Sequence, residues 1–383
     1  MASRAALPQS HGGTATQPRD LRLDLFRGIA LWFIFLDHIP NNIGEWLTLR
    51  NYGFSDTTEI FFFVSGYTCA LAYGRDLSQR GFLHALARSV RRGLEIYAAF
   101  LLLVVVFVAT IYAVNGADRA TLDDTNTAVL FAAPGEALLH AALLHYMPVN
   151  TDVLPAFALL HILCAPLLWL MSRAATLVAF AGSLVLYILV QVSGFNLTTW
   201  PKGEWFFNPL AWQLLFVFGA WAAMGGAQRL ALLLRSRAVF ALAVAYLLFS
   251  FVVVLSWHIK PLEAFIPEAI KAQIYPIDKS GLDPLRVMHF AALAVVGLRL
   301  MPHDWRWLPS LAARGAIRCG EQSLAIYCLG VPLAFVAGEM LKAWSGGIAM
   351  QLAISALGIA VMIAVATLMT ATEKAAGGRP KLF

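Results

Sequence analysis

The chain has 383 residues, of which 60% are hydrophobic and 13% are charged. Soluble domains carry about a quarter charged residues, so this composition and a mean hydropathy of +0.70 exclude an ordinary soluble enzyme and indicate an integral membrane protein. The net charge of +6 could suggest a nucleic-acid partner. We reject that class, because the basic residues lie in short loops between apolar runs, where they report membrane topology.

Residues 1–19 are polar and rich in Gly, Ala, Thr and Pro, which predicts a disordered cytoplasmic tail. They do not resemble a signal peptide, because the apolar run that follows contains Asp24 and Arg27. We therefore predict a single membrane domain over residues 20–372 and a short cytoplasmic tail over residues 373–383.

Ten apolar runs are long enough, at about 20 residues, to cross the bilayer as helices. They lie at about 22–40, 57–74, 94–114, 153–171, 174–192, 207–225, 238–257, 283–301, 320–341 and 347–370. A weaker amphipathic stretch at 135–146 predicts an interfacial helix in an outer loop. The predicted fold class is an all-α polytopic membrane protein with about ten transmembrane helices.

The distribution of Lys and Arg predicts the orientation. If the N-terminus is cytoplasmic, nineteen of the 28 basic residues fall in cytoplasmic segments, seven fall in outer segments, and Arg27 and Arg286 lie inside spans. Cytoplasmic loops of membrane proteins carry such an excess. Both termini are therefore predicted to be cytoplasmic.

The four cysteines lie in or at the edge of apolar runs, at Cys69, Cys164, Cys319 and Cys328. None has the spacing of a metal site or of a disulfide framework. They are predicted to be packing residues, and no metal site is expected.

Polar residues recur in the outer halves of five predicted spans. They are Asp37, His38, Asp56, Glu59, Asp152, Asn208, Gln213, Arg286 and His289. Charged groups inside membranes are costly and usually functional, so the set predicts a pocket open to the outer face. The alternative is that these residues form interhelical hydrogen bonds and helix caps.

His38 follows Arg27 by eleven residues, or about three helical turns, so both are predicted to lie on one helix face. The helical rise from Asp24 to His38 is roughly 21 Å, which places His38 about two-thirds of the way out. A neutral imidazole there could act as a general base, oriented by Glu59 or Asp37. The alternative is a hydrogen-bonded structural histidine.

Three arginines, Arg88, Arg91 and Arg92, lie at the cytoplasmic start of the third span. They either anchor the span on the cytoplasmic side or clamp the phosphates of a cofactor such as coenzyme A.

Three short runs resemble the pattern of membrane acyltransferases of the acyltransferase-3 type. They are Leu23-Asp24-Leu25-Phe26-Arg27-Gly28 followed by His38, Glu59-Ile60-Phe61-Phe62-Phe63-Val64-Ser65-Gly66-Tyr67, and Arg88-Ser89-Val90-Arg91. Together they form a specific signal, although each alone is weak.

The resemblance is closer to one branch, the OpgC proteins, which succinylate osmoregulated periplasmic glucans. The runs that carry it are Asp37-His38-Ile39-Pro40, Leu49-Arg50-Asn51-Tyr52-Gly53-Phe54-Ser55-Asp56, Asn208-Pro209-Leu210-Ala211-Trp212-Gln213, Leu285-Arg286-Val287-Met288-His289-Phe290 and Ser323 to Gly330. Many acyltransferase-3 proteins have a second histidine where this chain has Cys328-Leu329-Gly330. That departure fits the OpgC branch.

The resemblance implies a cytoplasmic acyl-CoA donor, succinyl-CoA above all, a periplasmic glucan acceptor and location in a bacterial inner membrane. We expect the CoA to bind near Arg88, Arg91 and Arg92, with Arg27 as a fourth cofactor-binding residue. Arg286 could hold the succinyl carboxylate by a bidentate contact or form an ion pair with Asp283 or Glu59. The residues expected to bind the acyl group or the acceptor are Arg286, His289, Asp56, Asp152, Asn208, Gln213, Arg50 and Asn51, with Ser65 and Tyr67 lining the channel or packing.

Two other functions fit part of the sequence. A secondary transporter that exports a sugar or a lipid-linked glycan would also contain buried charges, but we find no clear internal repeat and no corresponding pair of Gly/Pro-broken helices. An O-acetyltransferase that uses acetyl-CoA on another surface polysaccharide is the second alternative.

Overall fold

A computed structural model describes residues 20–264, 266–301, 305, 307–308, 310–344 and 346–377. The tail predicted over residues 1–19 lies outside these residues, as do residues 378–383 of the predicted C-terminal tail.

The described residues form α-helices and no β-sheet; a single antiparallel bridge joins Thr198 and Glu204. In chain order the helices are α1 (Leu21–Asp37), α2 (Thr57–Arg80), α3 (Phe82–Asn115), α4 (Arg119–Asp124), α5 (Ala128–Ala132), α6 (Pro134–Ala142), α7 (Val153–Leu170), α8 (Thr176–Ser193), α9 (Pro209–Trp221), α10 (Ala227–Arg229), α11 (Ala231–Arg235), α12 (Arg237–His258), α13 (Lys260–Glu263), α14 (Glu268–Ile274), α15 (Pro284–Leu300), α16 (Leu311–Glu321), α17 (Ser323–Ala343) and α18 (Ile348–Ala375). Two 3₁₀ segments, Ile43–Leu47 and Leu49–Asn51, connect α1 to α2, and short π segments follow α7 and α9.

Seven helices of the described chain are long and apolar enough to cross a membrane, which makes this a membrane protein. They are α3, α7 with the π segment that follows it (Val153–Arg173), α8, α9 with its π segment and α10 (Pro209–Arg229), α12, α17 and α18. The other three predicted spans coincide with α1, α2 and α15. Helices α1 and α15 have only 17 residues each. Helix α2 has 24 residues but carries Glu59 in its first turn and Arg80 in its last turn, so none of the three is counted among the seven.

The helix boundaries depart from the predicted runs in three places. Helix α1 ends at Asp37, where Pro40 and the turn before it stop the helix. Helix α3 has 34 residues, or about 51 Å, because a charged stretch extends its apolar run toward the N-terminus. The predicted run 320–341 contains a break at Gln322, which separates α17 from a helix, α16, that the sequence did not predict.

Glycines allow two pairs of helices to approach closely. A Cβ atom on Gly28 of α1 would overlap the carbonyl oxygen of Ala316 in α16, and one on Gly320 would overlap the carbonyl oxygen of Asp24. In the same way, Gly66 of α2 lies against the backbone of Phe216 in α9. Small residues at such crossings let helix backbones pack directly, which explains the glycines at the ends of the Asp24–Gly28 and Glu59–Gly66 motifs.

An aromatic cluster fixes the inner ring of helices. Phe62 of α2 stacks on Phe157 of α7 with ring centroids 4.3 Å apart, and the Trp212 ring of α9 lies 4.8 Å from Phe62. All three are buried. The Trp212 indole donates a hydrogen bond of 3.1 Å to the carbonyl oxygen of Lys279, so the cluster also holds the loop before α15.

The close crossing of α2 and α9 gives a direct test of packing. Gly66→Ala should lower the free energy of unfolding by about 1–3 kcal/mol, because the new methyl group overlaps backbone that cannot move aside. Gly74→Ala in the same helix is the matched control, since a Cβ there meets no neighbouring atom. The control should be neutral or stabilising by up to about 1 kcal/mol. Unfolding in detergent measures both, and equal effects would contradict the close approach.

Candidate active site

Helices α2, α9 and α15 each follow a polar residue whose side chain caps the first turn. The amide of Thr58 donates to Asp56 Oδ1 at 2.8 Å, and the Asp56 amide donates to Glu59 Oε2 at 3.0 Å, which completes a capping box on α2. Asn208 caps α9 and Asp283 caps α15 in the same manner. Asp56, Asn208 and Asp283, which open three of the predicted spans, therefore also satisfy free amides at helix starts.

Four charged side chains form a buried network where α2 meets α15. The Arg286 guanidinium lies 2.6 Å from Glu59 and 3.2 Å from Asp56, and Lys279 Nζ lies 2.7 Å from Asp56. Glu59 is completely buried and Arg286 is 8% exposed. Burial alone would raise the pKa of Asp56, but Lys279 and Arg286 outweigh it and hold that pKa well below its usual range. We call these four residues the charge network.

The charge network shows which carboxylate pairs with Arg286, and it includes Lys279, which the sequence analysis did not select. Arg286 pairs with Glu59, one of its two predicted partners, whereas the other, Asp283, accepts the amide of Leu285. Lys279 was not singled out, because it lies in a loop and has no helical spacing to the other polar residues. In the sequence analysis, Lys279 was counted only among the basic residues of the outer segments.

A continuous cavity of about 730 Å³ runs through the bundle. At the end where α1 finishes it is lined by His38, Arg50, Asp56, Asp152, Lys279 and Arg286, and at the end where α1 starts it is lined by Arg27, Arg92 and Glu321. Ser65, Thr68, Cys69, Phe157 and His161 line the middle. The cavity therefore joins polar groups at both ends of the helices.

His38 caps the C-terminus of α1, where its amide donates to the carbonyl oxygen of Ile34 at 3.1 Å. Its half-buried imidazole faces the cavity, as does Arg27 eleven residues earlier. In the described part of the chain no side chain hydrogen-bonds this imidazole. Asp37 instead accepts from the Thr48 hydroxyl at 2.6 Å, and Glu59 is held by Arg286.

The arginines at the other end differ in their surroundings. Arg92 lines the cavity and also pairs with Glu95 at 3.0 Å. Arg88 pairs with Asp76 at 2.6 Å, and Arg91 is 82% exposed; neither lines the cavity. Arg27 donates to the Thr68 hydroxyl across the α1–α2 contact.

A family model described as OpgC protein matches residues 19–374. The chain belongs to the OpgC family. This is a family of acyltransferases, and membership implies a role in glucan succinylation. Searches of curated proteins and of solved structures found no match. In the part of the OpgC-family chain that the structure describes, no group of three or more His, Cys, Asp or Glu residues could hold a metal ion.

The structure divides the residues that we expected to bind the acyl group or acceptor into two sets. Those that line the cavity are Arg286, Asp56, Asp152, Arg50 and Ser65, while those that do not are His289, Asn208, Gln213, Asn51 and Tyr67. The second set includes residues with structural bonds: His289 contacts the Ser55 hydroxyl at 2.7 Å. Burial raises the pKa of Asp152 in the first set to about 6.

One polar pair on the cavity wall was not predicted from the sequence. The Cys69 sulfur lies 3.3 Å from His161 Nε2, and His161 Nδ1 lies 2.8 Å from the carbonyl oxygen of Phe157. Both side chains line the middle of the cavity. Because Cys69 and His161 are 92 positions apart in the chain, no local pattern links them.

Removing Arg286 tests how strongly the charge network holds the fold. Arg286→Met leaves Glu59 buried without its cation, which should cost about 3–5 kcal/mol of unfolding free energy. Adding Glu59→Gln should recover part of that loss, because the buried charge disappears. Arg50→Met is the control: Arg50 is exposed and forms no ion pair with the described residues, so the change should stay within about 0.5 kcal/mol. Equal losses for Arg286→Met and Arg50→Met would rule out the network as a stabilising element.

Proposed function

We propose that this protein transfers an acyl group, in the first place succinyl, from cytoplasmic acyl-CoA to a hydroxyl group of a periplasmic glucan. The observation that carries the proposal is the continuous cavity, whose wall includes the basic residue Arg92 near one end and His38 near the other. Membership of the OpgC family supports the same reaction class.

The proposed topology has ten spans, with α1, α2 and α15 added to the seven apolar helices, and both termini in the cytoplasm of a bacterium with the protein in its inner membrane. Short, polar helices are acceptable as spans where they are enclosed by other helices, and α1 packs against α2, α16 and α17. Lys and Arg are in excess in the segments on the side of the membrane where α1 starts, and this excess supports the orientation. Arg92 then faces the cytoplasm and His38 the periplasm.

At the cytoplasmic end, Arg92 together with Arg88 and Arg91 is proposed to bind the phosphates of coenzyme A. Guanidinium groups suit this because their planar forks match phosphate oxygens. From Arg27 to His38 the helical rise is roughly 16 Å. The pantetheine arm would follow this stretch of the cavity past Thr68 and Ser65, which brings the thioester toward His38.

At the periplasmic end, His38 is proposed to act as the general base. The imidazole removes the proton of a glucan hydroxyl, the oxygen attacks the thioester carbonyl, the C–S bond breaks, and the CoA sulfur takes the proton from the imidazolium. The absence of a hydrogen bond from any described side chain to His38 leaves its ring available to a substrate. Of the two carboxylates considered for orienting it, Asp37 is adjacent in the chain, while Glu59 would act through the charge network.

The carboxylate of a succinyl group needs a cation near His38. The Nε–Nη2 edge of Arg286 already faces Glu59, so a second bidentate contact at that edge is blocked. Arg50 lines the same end of the cavity, is exposed, and has no ion pair within the described residues. We therefore propose that Arg50 binds the succinyl carboxylate together with Arg286 and Lys279.

Direct transfer fits the dimensions of the cavity better than a covalent intermediate on Cys69. Cys69 follows Asp56 by 13 residues, a rise of about 20 Å along α2. A hydroxyl group held at His38, close to Asp56, would not reach an acyl group on that sulfur. The Cys69–His161 pair is better placed to border the pantetheine path.

The donor site is tested by kinetics with acyl-CoA. Arg92→Ala should raise the KM for the donor by about ten- to a hundredfold, the value of a lost charge-assisted hydrogen bond, and Arg92→Lys should restore only part of it. Arg75→Ala is the matched control, because this exposed arginine lies at the same end of the bundle and contributes the same topology charge. If both alanine variants lower membrane insertion and neither changes the KM, the arginines are only topology anchors.

The general base is tested by mass spectrometry of periplasmic glucans from a strain that lacks the native protein. Wild-type protein should add the mass of succinyl groups, whereas a mass shift of acetyl would favour the acetyltransferase alternative, and no shift would favour transport. His38→Ala should reduce transfer by about 10²–10⁴-fold, and His38→Gln should not restore it, because the amide cannot accept the proton.

The matching controls separate catalysis from folding. His84→Ala, an exposed histidine, should leave acylation unchanged, and membrane levels and thermal unfolding of the His38 variants should stay close to wild type. Well-folded His38→Ala protein that acylates glucan at the normal rate would refute the assignment. Rescue by Gln, with a loss of stability in the alanine variant, would make His38 structural.

A further inference from the structure

A second cavity, of about 430 Å³, runs between α3 and α17. Its apolar walls include Ala99, Leu102, Leu103 and Val106 on α3 and Cys328 and Leu329 on α17. At one end it is lined by Arg92 and by the break between α16 and α17, at residues 321–323. We call this cavity the α3–α17 groove.

The groove opens on the side of the bundle that faces hydrocarbon. Leu102 is 64% exposed and Val106 is 42% exposed, while Leu103 behind them is buried. Helix α3 is among the most apolar of the candidate spans. An apolar groove next to lipid fills with lipid chains, because an empty one would forfeit the dispersion contacts of its walls.

The position of Arg92 indicates what kind of chain fills the groove. The apolar part of α3 starts at about residue 94, so Arg92 lies at the boundary between hydrocarbon and headgroups. From Arg92 to Val106 the helical rise is roughly 21 Å, which matches one leaflet of a bilayer about 40–45 Å thick with its headgroups. A leaflet lipid with its chain in the groove would have its phosphate at the level of Arg92.

We propose that the α3–α17 groove binds one phospholipid, with an acyl chain between α3 and α17 and its phosphate on Arg92. The ion pair of Arg92 with Glu95 uses one nitrogen, Nη1, and a guanidinium has five N–H donors, so a phosphate can bind beside it. The groove shares Arg92, Glu321, Ser323 and Leu324 with the central cavity. The lipid therefore closes the seam between α3 and α17 that separates the central cavity from the membrane. Arg92 lines both cavities, so the lipid phosphate and the coenzyme A phosphates proposed above would compete for it, and the labelling test is run without acyl-CoA.

The test uses full-length protein in vesicles of phosphatidylethanolamine and phosphatidylglycerol that contain a phospholipid with a photoreactive diazirine on its acyl chain. After irradiation, peptide mass spectrometry should find adducts on residues 99–106 and 323–329 about tenfold above those on the equally exposed face of α12. Arg92→Gln should lower the groove adducts by about tenfold, the value of one charge-assisted hydrogen bond to phosphate. A diacylglycerol with the same diazirine chain lacks the phosphate. It should label the wild-type groove as weakly as the phospholipid labels Arg92→Gln.

A matched pair of variants tests the chain part of the site. Ala99→Phe fills the groove and should abolish the adducts, whereas Ala98→Phe, at an exposed position that does not line the groove, should retain them. Thermal unfolding shows whether both variants fold. If Ala99→Phe does not fold, the labelling of Arg92→Gln and the labelling by diacylglycerol decide whether the groove binds a phospholipid. Equal labelling of α12 and the groove, or of phospholipid and diacylglycerol, would overturn the site, as would full labelling of folded Ala99→Phe.

Discussion

The ion pairs of Arg286 with Glu59 and Asp56 are the interaction on which the site depends. A guanidinium that is 8% exposed beside a carboxylate with no exposure is stable only because each charge is compensated. The pairs join α2 to α15, two helices that touch little elsewhere, and Lys279 adds the loop before α15. Since Asp56 and Glu59 also cap α2, the position of the network is fixed by the helix start itself.

The connection between α1 and α2 places His38 relative to this network. The Asn42 amide donates to the Ser355 hydroxyl at 2.9 Å, and the backbone amide of Ile43 donates to the Gln351 side chain, so the connection is attached to α18. Within the connection, the Thr48 hydroxyl donates a hydrogen bond to Asp37 at the end of α1. His38 thus lies at a helix end held from two sides, and its ring keeps its hydrogen-bonding capacity for a ligand.

The sequence predicted the helices well and the site in part, for physical reasons. Apolar runs near bilayer length have few alternatives to a helix, and the eleven-residue spacing placed Arg27 and His38 on one cavity wall. Polar residues inside membrane helices, however, serve either a cavity or another helix. Gln213, which bonds Ser183 at 2.6 Å, and Asp56 look alike in sequence, because only the packing partner distinguishes them. Helix α16 was missed because Arg314 and Arg318, on its more exposed side, keep it from forming a continuous apolar run. Lys279 was missed because loops have no periodicity.

The length of the cavity has a consequence for the proposed reaction. A nucleotide with several phosphates and a glucan are both too polar to enter the hydrocarbon, so each must stay on its own side of the membrane. The stretch from Arg27 to His38, roughly 16 Å long, is lined by Ser65, Thr68 and Phe157 and is only partly polar. Such a passage suits the slender pantetheine arm. Under the proposed function, the reaction therefore takes place at the far end of that arm. The cations around His38 then determine which acyl group is accepted. The arginines at the opposite end determine which donor binds.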